Sequence, residues 1–283
     1  WPSSGGSRGN QESEQIASWH TEKATLGKTN LQRPELERIL YRLAETCTSL
    51  MRNNRGMVGD VARSLGGFLV TPPVDPYEIK RYFGELKGFP RIDELITIVS
   101  GGVPVIAPPS RADLEAALQY GNHRSAEEHL PQIWSKIGED VRRERCLVIK
   151  KSAAFDIPNL RVLPLGAVVT SKKVRIINDL SFEYGDRTVK GGLNADTDAD
   201  SVPPSLCHEA LPSFLTELVS LRAAHPKLRI LMATTDVNDA YRNVRIDPDK
   251  AHNFCYAVDD LIVIDFRLTF GWTGSPGNFG VMA

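Results

Sequence analysis

Cysteine is scarce and dispersed. The four residues, Cys47, Cys146, Cys207 and Cys255, include no Cys-x-x-Cys pair. This argues against a disulfide-stapled scaffold and a cysteine-rich zinc site, and it fits a reducing compartment. The six histidines are also scattered, with no pair at metal-ligand spacing. No apolar run approaches the roughly 20 residues of a membrane span, so no membrane partner is expected. Phosphate loops of the Walker type and Gly-x-Ser-x-Gly elbows are missing, and Ser181 and Ser275 have no evident base. The opening residues, Trp1 to Gly6, carry neither the basic start nor the apolar core of a secretory signal. No Met precedes them, which leads to the expectation of a fragment. Net charge is nearly absent as well, 34 Lys and Arg against 35 Asp and Glu.

What is present is a soluble composition, 41% hydrophobic over 283 residues, enough for one or two domains. The charge balance conceals an asymmetry. Residues 141–190 hold 11 basic and 5 acidic side chains, a surplus of +6 that leaves the remainder at −7. Such a block suits an anionic partner.

Residues 1–30, rich in Ser, Gly, Gln, Glu and Thr, read as a disordered tail. Pro34 then opens a helix whose stripe runs Leu36, Ile39, Leu40, Leu43, Cys47, Leu50 and Met51. Further short helices are expected at 76–86, 92–100 and 111–120, and residues 31–120 read as a helical accessory region without evident chemistry. Ser125-Ala126-Glu127-Glu128 has the capping-box pattern and predicts the start of a helix that buries Leu130, Ile133, Trp134, Ile137 and Val141. Strands are expected at 146–149, 163–169 and 174–177. A helix follows at 205–223 with Leu211, Phe214, Leu215, Leu218 and Val219 inward. Strands at 229–235, 253–258 and 261–268 come next, with Asp259-Asp260 turning between the last two. This order predicts an α+β domain over 125–283.

Three blocks carry candidate chemistry. Asp236, at the end of the expected strand 229–235, is a hard oxygen donor suited to Mg²⁺. Lys172-Lys173-Val174-Arg175 runs through a turn into a strand, with Asp179 beyond it, and could grip a triphosphate. Phe270-Gly271-Trp272-Thr273-Gly274-Ser275-Pro276 permits close backbone approach to a ligand.

In this order the blocks resemble the fingers and first half of the palm of a retrotransposon reverse transcriptase. Asp236-Val237-Asn238-Asp239-Ala240-Tyr241, followed by Val244-Arg245-Ile246-Asp247, is similar to the first catalytic palm motif. The 270–276 turn is similar to the motif that contacts template and nucleotide, and 173–180 to the fingers strand beside the incoming nucleotide. The resemblance spans about 125–283 and implies a partial right-hand polymerase with a helical N-terminal extension. It also implies that Asp236 and the Val237 carbonyl bind Mg²⁺ (or Mn²⁺), with Asp236 a ligand of both ions of a catalytic pair. By the same likeness Lys173, Arg175, Asp179, Asp239, Ala240, Tyr241, Phe270 and Gly271 surround a deoxynucleoside triphosphate, and Trp272, Gly274, Ser275 and Pro276 lie along template and primer. Template-directed deoxynucleotidyl transfer on an RNA or DNA template is the implied reaction. The ring of Tyr241, five residues after Asp236, would exclude a 2′-hydroxyl and so favour DNA over RNA synthesis.

The Tyr-x-Asp-Asp carboxylates that the family places after the 270–276 turn are not among these residues. Tyr256-Ala257-Val258-Asp259-Asp260 precedes that turn and reads as a solvated hairpin. The 283 residues alone are therefore expected to be inactive, as one piece of a longer polyprotein. Two alternatives stand beside this reading: a non-catalytic nucleic-acid-binding remnant of a decayed element, and an RNA-dependent RNA polymerase. Compartment, cytoplasmic or nuclear, stays open.

Overall fold

The computed structural model describes residues 5–27, 31–66, 81, 84, 88, 90–110, 113–170, 174–184, 192–204, 207–233 and 236–282. Its centre is set by the most hydrophobic strand. Leu261–Asp265 (β5) is buried at every position, so both of its edges and both of its faces must be covered. Cys146–Lys150 (β1) pairs antiparallel along one edge, from Cys146 opposite Asp265 to Lys150 opposite Leu261. Cys255–Val258 (β4) pairs along the other, from Cys255 opposite Ile264 to Val258 opposite Leu261. The order is β1-β5-β4. Asp259 turns the chain between β4 and β5 with φ of 51°, a conformation Asp tolerates. Both aspartates of that turn are exposed, as the sequence predicts, whereas Tyr256, Ala257 and Val258 of the same expected solvated hairpin are buried in β4.

Helices cover this sheet. Gly5–Thr25 (α1), Arg33–Asn53 (α2), Val58–Leu65 (α3), Ile92–Gly101 (α4), Leu114–Tyr120 (α5), Arg124–Glu127 (α6) and Leu130–Arg142 (α7) precede it. The stripe of α2 is buried from Ile39 to Met51 and lies across β1, with Pro34 in the first turn. Ile133, Trp134, Ile137 and Val141 of α7 enter the same core. The line expected between an accessory region ending at 120 and a domain starting at 125 therefore crosses one continuous hydrophobic cluster.

Four expectations are corrected. Residues 5–27 are not a disordered tail. Ile16 and Trp19 lie at helical spacing on α1 and Leu26 packs into the same core just past its end, Trp19 is wholly buried, and Lys23 pairs with Glu144. Ser125 does not cap the long helix: its hydroxyl accepts the Ala167 N–H, and His129 precedes Leu130 at the helix start. Residues 229–233 are not a strand, and Cys207–Ala224 (α9) does not bury its apolar side. Leu211, Phe214, Leu215, Val219, Leu231 and Met232 are all exposed. The two failures share a cause. A strand exists only when paired, no described strand lies beside 229–233, and without that strand α9 has no sheet to cover. The expected helix at 76–86 falls largely outside the described residues.

Leu165–Val169 (β2) and Val174–Asn178 (β3) form a separate antiparallel hairpin, with Val168 opposite Arg175 and Leu165 opposite Asn178. Asn122 joins it to the sheet: its amide donates to the Ala257 carbonyl and its oxygen accepts the Leu165 N–H. A second hydrophobic cluster gathers Leu163, Leu180, Leu193, Val244, Ile246, Phe254, Leu268, Trp272 and Val281. It draws on Leu193–Asp196 (α8) and Ser275–Met282 (α10). The architecture is α+β, and among the described residues no helix is long and apolar enough to cross a membrane.

Because Trp19 is sealed in the core, Trp19→Ala should cost about 3–5 kcal/mol in chemical denaturation. A loss near zero would mean that α1 does not belong to this core.

Candidate functional site

The loop that carries Asp236 is held by arginine. Arg242, in the 3-10 turn Ala240–Asn243, reaches Asp265 at the end of β5 and Asp140 of α7, the latter at 3.0 Å. Arg145, just before β1, donates to Asp239 at 2.9 Å, and Arg143 lies 3.6 Å from the same oxygen. Asp239 takes a left-handed conformation, φ 54°, that a short polar side chain tolerates. The hydrogen bond from Arg145 holds its carboxyl below the usual value, against the opposing effect of partial burial. Asp265 goes the other way: complete burial raises it, and Arg242 only partly offsets that.

Around this anchor the sequence blocks meet. Tyr241 packs against Phe270 at 4.8 Å between ring centroids and against Phe279 of α10 at 5.7 Å. Phe270 itself is 56% exposed. Gly271 has φ of 109°, and a Cβ there would overlap the Asn178 carbonyl at the end of β3. Asn194 of α8 closes the junction. Its amide nitrogen donates to the Gly271 carbonyl at 2.7 Å and to the Ser181 hydroxyl, while its oxygen accepts the Thr273 N–H. The β2–β3 hairpin, the 236–243 loop and the 270–276 turn are thus in contact through Asn178–Gly271 and Tyr241–Phe270.

The predicted site residues divide as follows. Asp236 is exposed, and so is Val237 at 52%. Ala240 and Tyr241 are half-buried in the 3-10 turn. Arg175 projects from the exposed side of β3, and Lys173 lies outside the described residues. Asp179 sits past β3, with its Oδ2 3.0 Å from His123 Nε2. Trp272 is only 3% exposed, stacks edge-on against Phe254 and donates its indole N–H to Thr197. Gly274 leaves space for that indole ring, and the Ser275 hydroxyl is spent on the Thr269 carbonyl. Trp272, Gly274 and Ser275 therefore build the turn from beneath. Phe270 and Pro276 are the members of that set with exposed side chains.

Several neighbours were not foreseen from sequence. Tyr120, His123, Phe182 and Tyr184 form an aromatic cluster beside Asp179, with the Tyr120 hydroxyl 3.1 Å from His123 Nδ1. Burial, with smaller contributions from Tyr120 and Asp179, drives the Tyr184 phenol well above its ordinary value. Asn194 had no signal in its Asp-rich loop. Arg242 did have one, an arginine directly after the motif tyrosine. Among the described residues no group of three His, Cys, Asp or Glu side chains is arranged to hold a metal ion. No protein-family model, curated protein or solved structure matches the chain.

Two expectations follow from the geometry. Gly271→Ala should cost about 1–3 kcal/mol, because it adds both a left-handed strain and the overlap with Asn178; urea unfolding reads it directly. Asp239 contributes stability fully above its ordinary value of 3.8 and loses it as pH falls through its lower folded value. Asp239→Asn should therefore be less stable than wild type at pH 7, by about 0.5–1 kcal/mol for a pair whose carboxylate is partly exposed. The difference should shrink as pH drops below that range. A gap that persisted in acid would show that the Arg145 pair is not its source.

Proposed function

We propose that these residues carry part of the nucleotide-handling apparatus of an RNA-directed DNA polymerase of the reverse-transcriptase type. The observation that carries the reading is the meeting of three blocks far apart in sequence, with the hairpin end at Asn178 on Gly271 and Tyr241 on Phe270. Asp236, five residues before Tyr241 in the chain, is exposed and so accessible to a ligand.

Asp236 and the Val237 carbonyl offer the oxygen donors that a hard cation such as Mg²⁺ prefers. When bound, paired ions activate a primer hydroxyl and stabilise the leaving pyrophosphate. One carboxylate fits part of such a centre and not all of it, since the described residues bring no further ligand cluster to Asp236. The chain's own residues supply the rest of the proposed chemistry. Arg175, with Lys173, neutralises triphosphate charge. Tyr241, wedged between Phe270 and Phe279, presents a ring that cannot easily swing away, which suits steric rejection of a 2′-hydroxyl and favours deoxynucleotides over ribonucleotides. The substrates are deoxynucleoside triphosphates on a primed RNA or DNA template. A non-catalytic nucleic-acid-binding role shares the basic 141–190 segment and differs only in needing no metal.

The expected outcome is binding of a fluorescent primer–template that weakens about tenfold or more between 50 and 200 mM salt. Arg175→Ala should weaken it further. Salt-independent binding, or none, would overturn both readings, whereas Mg²⁺-dependent extension by these 283 residues alone would overturn the incomplete-site assignment. In a polypeptide that supplies the remaining carboxylates, Tyr241→Ala should admit ribonucleotides; unchanged sugar selection would remove the gate.

A further inference from the structure

Beyond the anchored loop, the chain makes a short ladder that places two arginines against each other. Arg245 and Arg267 form an isolated antiparallel bridge. The hydrogen bonds on either side of it run from Ile246 N–H to the Phe266 carbonyl and from Leu268 N–H to the Val244 carbonyl. Arg245 and Arg267 exchange none themselves, so they are a narrow, non-hydrogen-bonded pair. Such residues have Cα atoms about 4.5 Å apart and side chains on one face. Like charges directly opposite in this position destabilise a sheet.

The surroundings do not neutralise them. Arg267 is only 8% exposed, and its Nε is buried without a hydrogen-bond partner; the same holds for Nη1 of half-buried Arg245. Neither guanidinium forms an ion pair among the described residues. The acids closest in effect are committed elsewhere: Asp265 to Arg242, and Glu144 to Lys23. Burial, then the charges of Arg245 and Arg145, pull Arg267 down to about 10, which still leaves it protonated at neutral pH. Burial lowers Arg245 too, against the pull of Glu144.

We propose that Arg245 and Arg267 form a binding site for a phosphate-type oxyanion, held between two guanidinium forks. The bare pair is electrostatically unfavourable, and a tetrahedral oxyanion supplies the acceptors and the negative charge that both side chains lack. The site does not rest on the polymerase reading, although Arg245 lies in the stretch that continues the 236–241 block; it rests on the bridge and on the unpaired, buried guanidinium atoms. Its ligand is either a free phosphate, as in inorganic phosphate or a nucleotide, or a phosphodiester of a nucleic-acid strand.

The test uses the full chain with Arg245→Gln and Arg267→Gln, in chloride buffers matched in ionic strength. Phosphate stabilises many proteins without a site, so the readout is the difference between wild type and variant. In the absence of phosphate, removing either charge should leave the melting temperature unchanged or raise it by about 2–4 °C, because repulsion is relieved. Inorganic phosphate should raise wild type more than either variant. An oligodeoxynucleotide distinguishes the sources: about tenfold weaker binding in both variants assigns a phosphodiester, and unchanged binding with a lost phosphate response assigns a free phosphate. If Arg267→Gln does not fold, the less buried Arg245→Gln decides alone. Variants that answer both probes as wild type does would overturn the proposal. So would a phosphate-free Arg245→Gln protein clearly less stable than wild type.

Discussion

The pairing of β1 with β5 is the constraint on which the rest of the structure depends. It closes a loop of more than a hundred residues to bring Cys146–Lys150 against Leu261–Asp265. The entropy of that closure is recovered only because every residue of β5 is buried. Once the ladder is in place, α2 and α7 have a surface to cover. Its end, where the Phe266 N–H donates to the Arg145 carbonyl, fixes the point from which the 236–243 loop hangs.

The ionic network at that end gives position more than stability. Asp140 and Asp265 are nearly sealed from water, and so are Arg145 and Arg242. Burying such charges costs much of what their attraction returns. What they provide is direction. Arg242 can satisfy Asp140 and Asp265 together only when the 240–243 turn stands in one place, and Arg145 can reach Asp239 only when that turn begins correctly. Tyr241 then meets Phe270 as a consequence of charge geometry.

Legibility in the sequence follows the range of the forces involved. The α2 stripe, β1, the β2–β3 hairpin and the Asp259-Asp260 turn were readable, because helical period, alternation and turn chemistry are local. The expected strand 229–235 was not, because its apolar run carries no information about whether a partner edge exists. The inward face assigned to Leu211 and Phe214 fell with it. The α1 helix was not legible because its polar average hides the few apolar residues that reach the core, Ile16 and Trp19. At the site, the 236–241, 270–276 and hairpin blocks meet through Asn178–Gly271 and Tyr241–Phe270. The inward turn of Trp272 and Ser275 was invisible to a reading by motif. The arginine network was equally hidden, since sequence does not say which charges are buried.

The seam between Gly271 and Asn178 has a mechanical meaning. With a backbone carbonyl seated where a side chain would be, and Asn194 stitched to both the turn and Ser181 after the hairpin, there is no slack between the two elements. Any swing of the β2–β3 arm must drag the 270–274 bend along, and with it the aromatic ring that rests on Tyr241. Arm, bend and ring act as one lever.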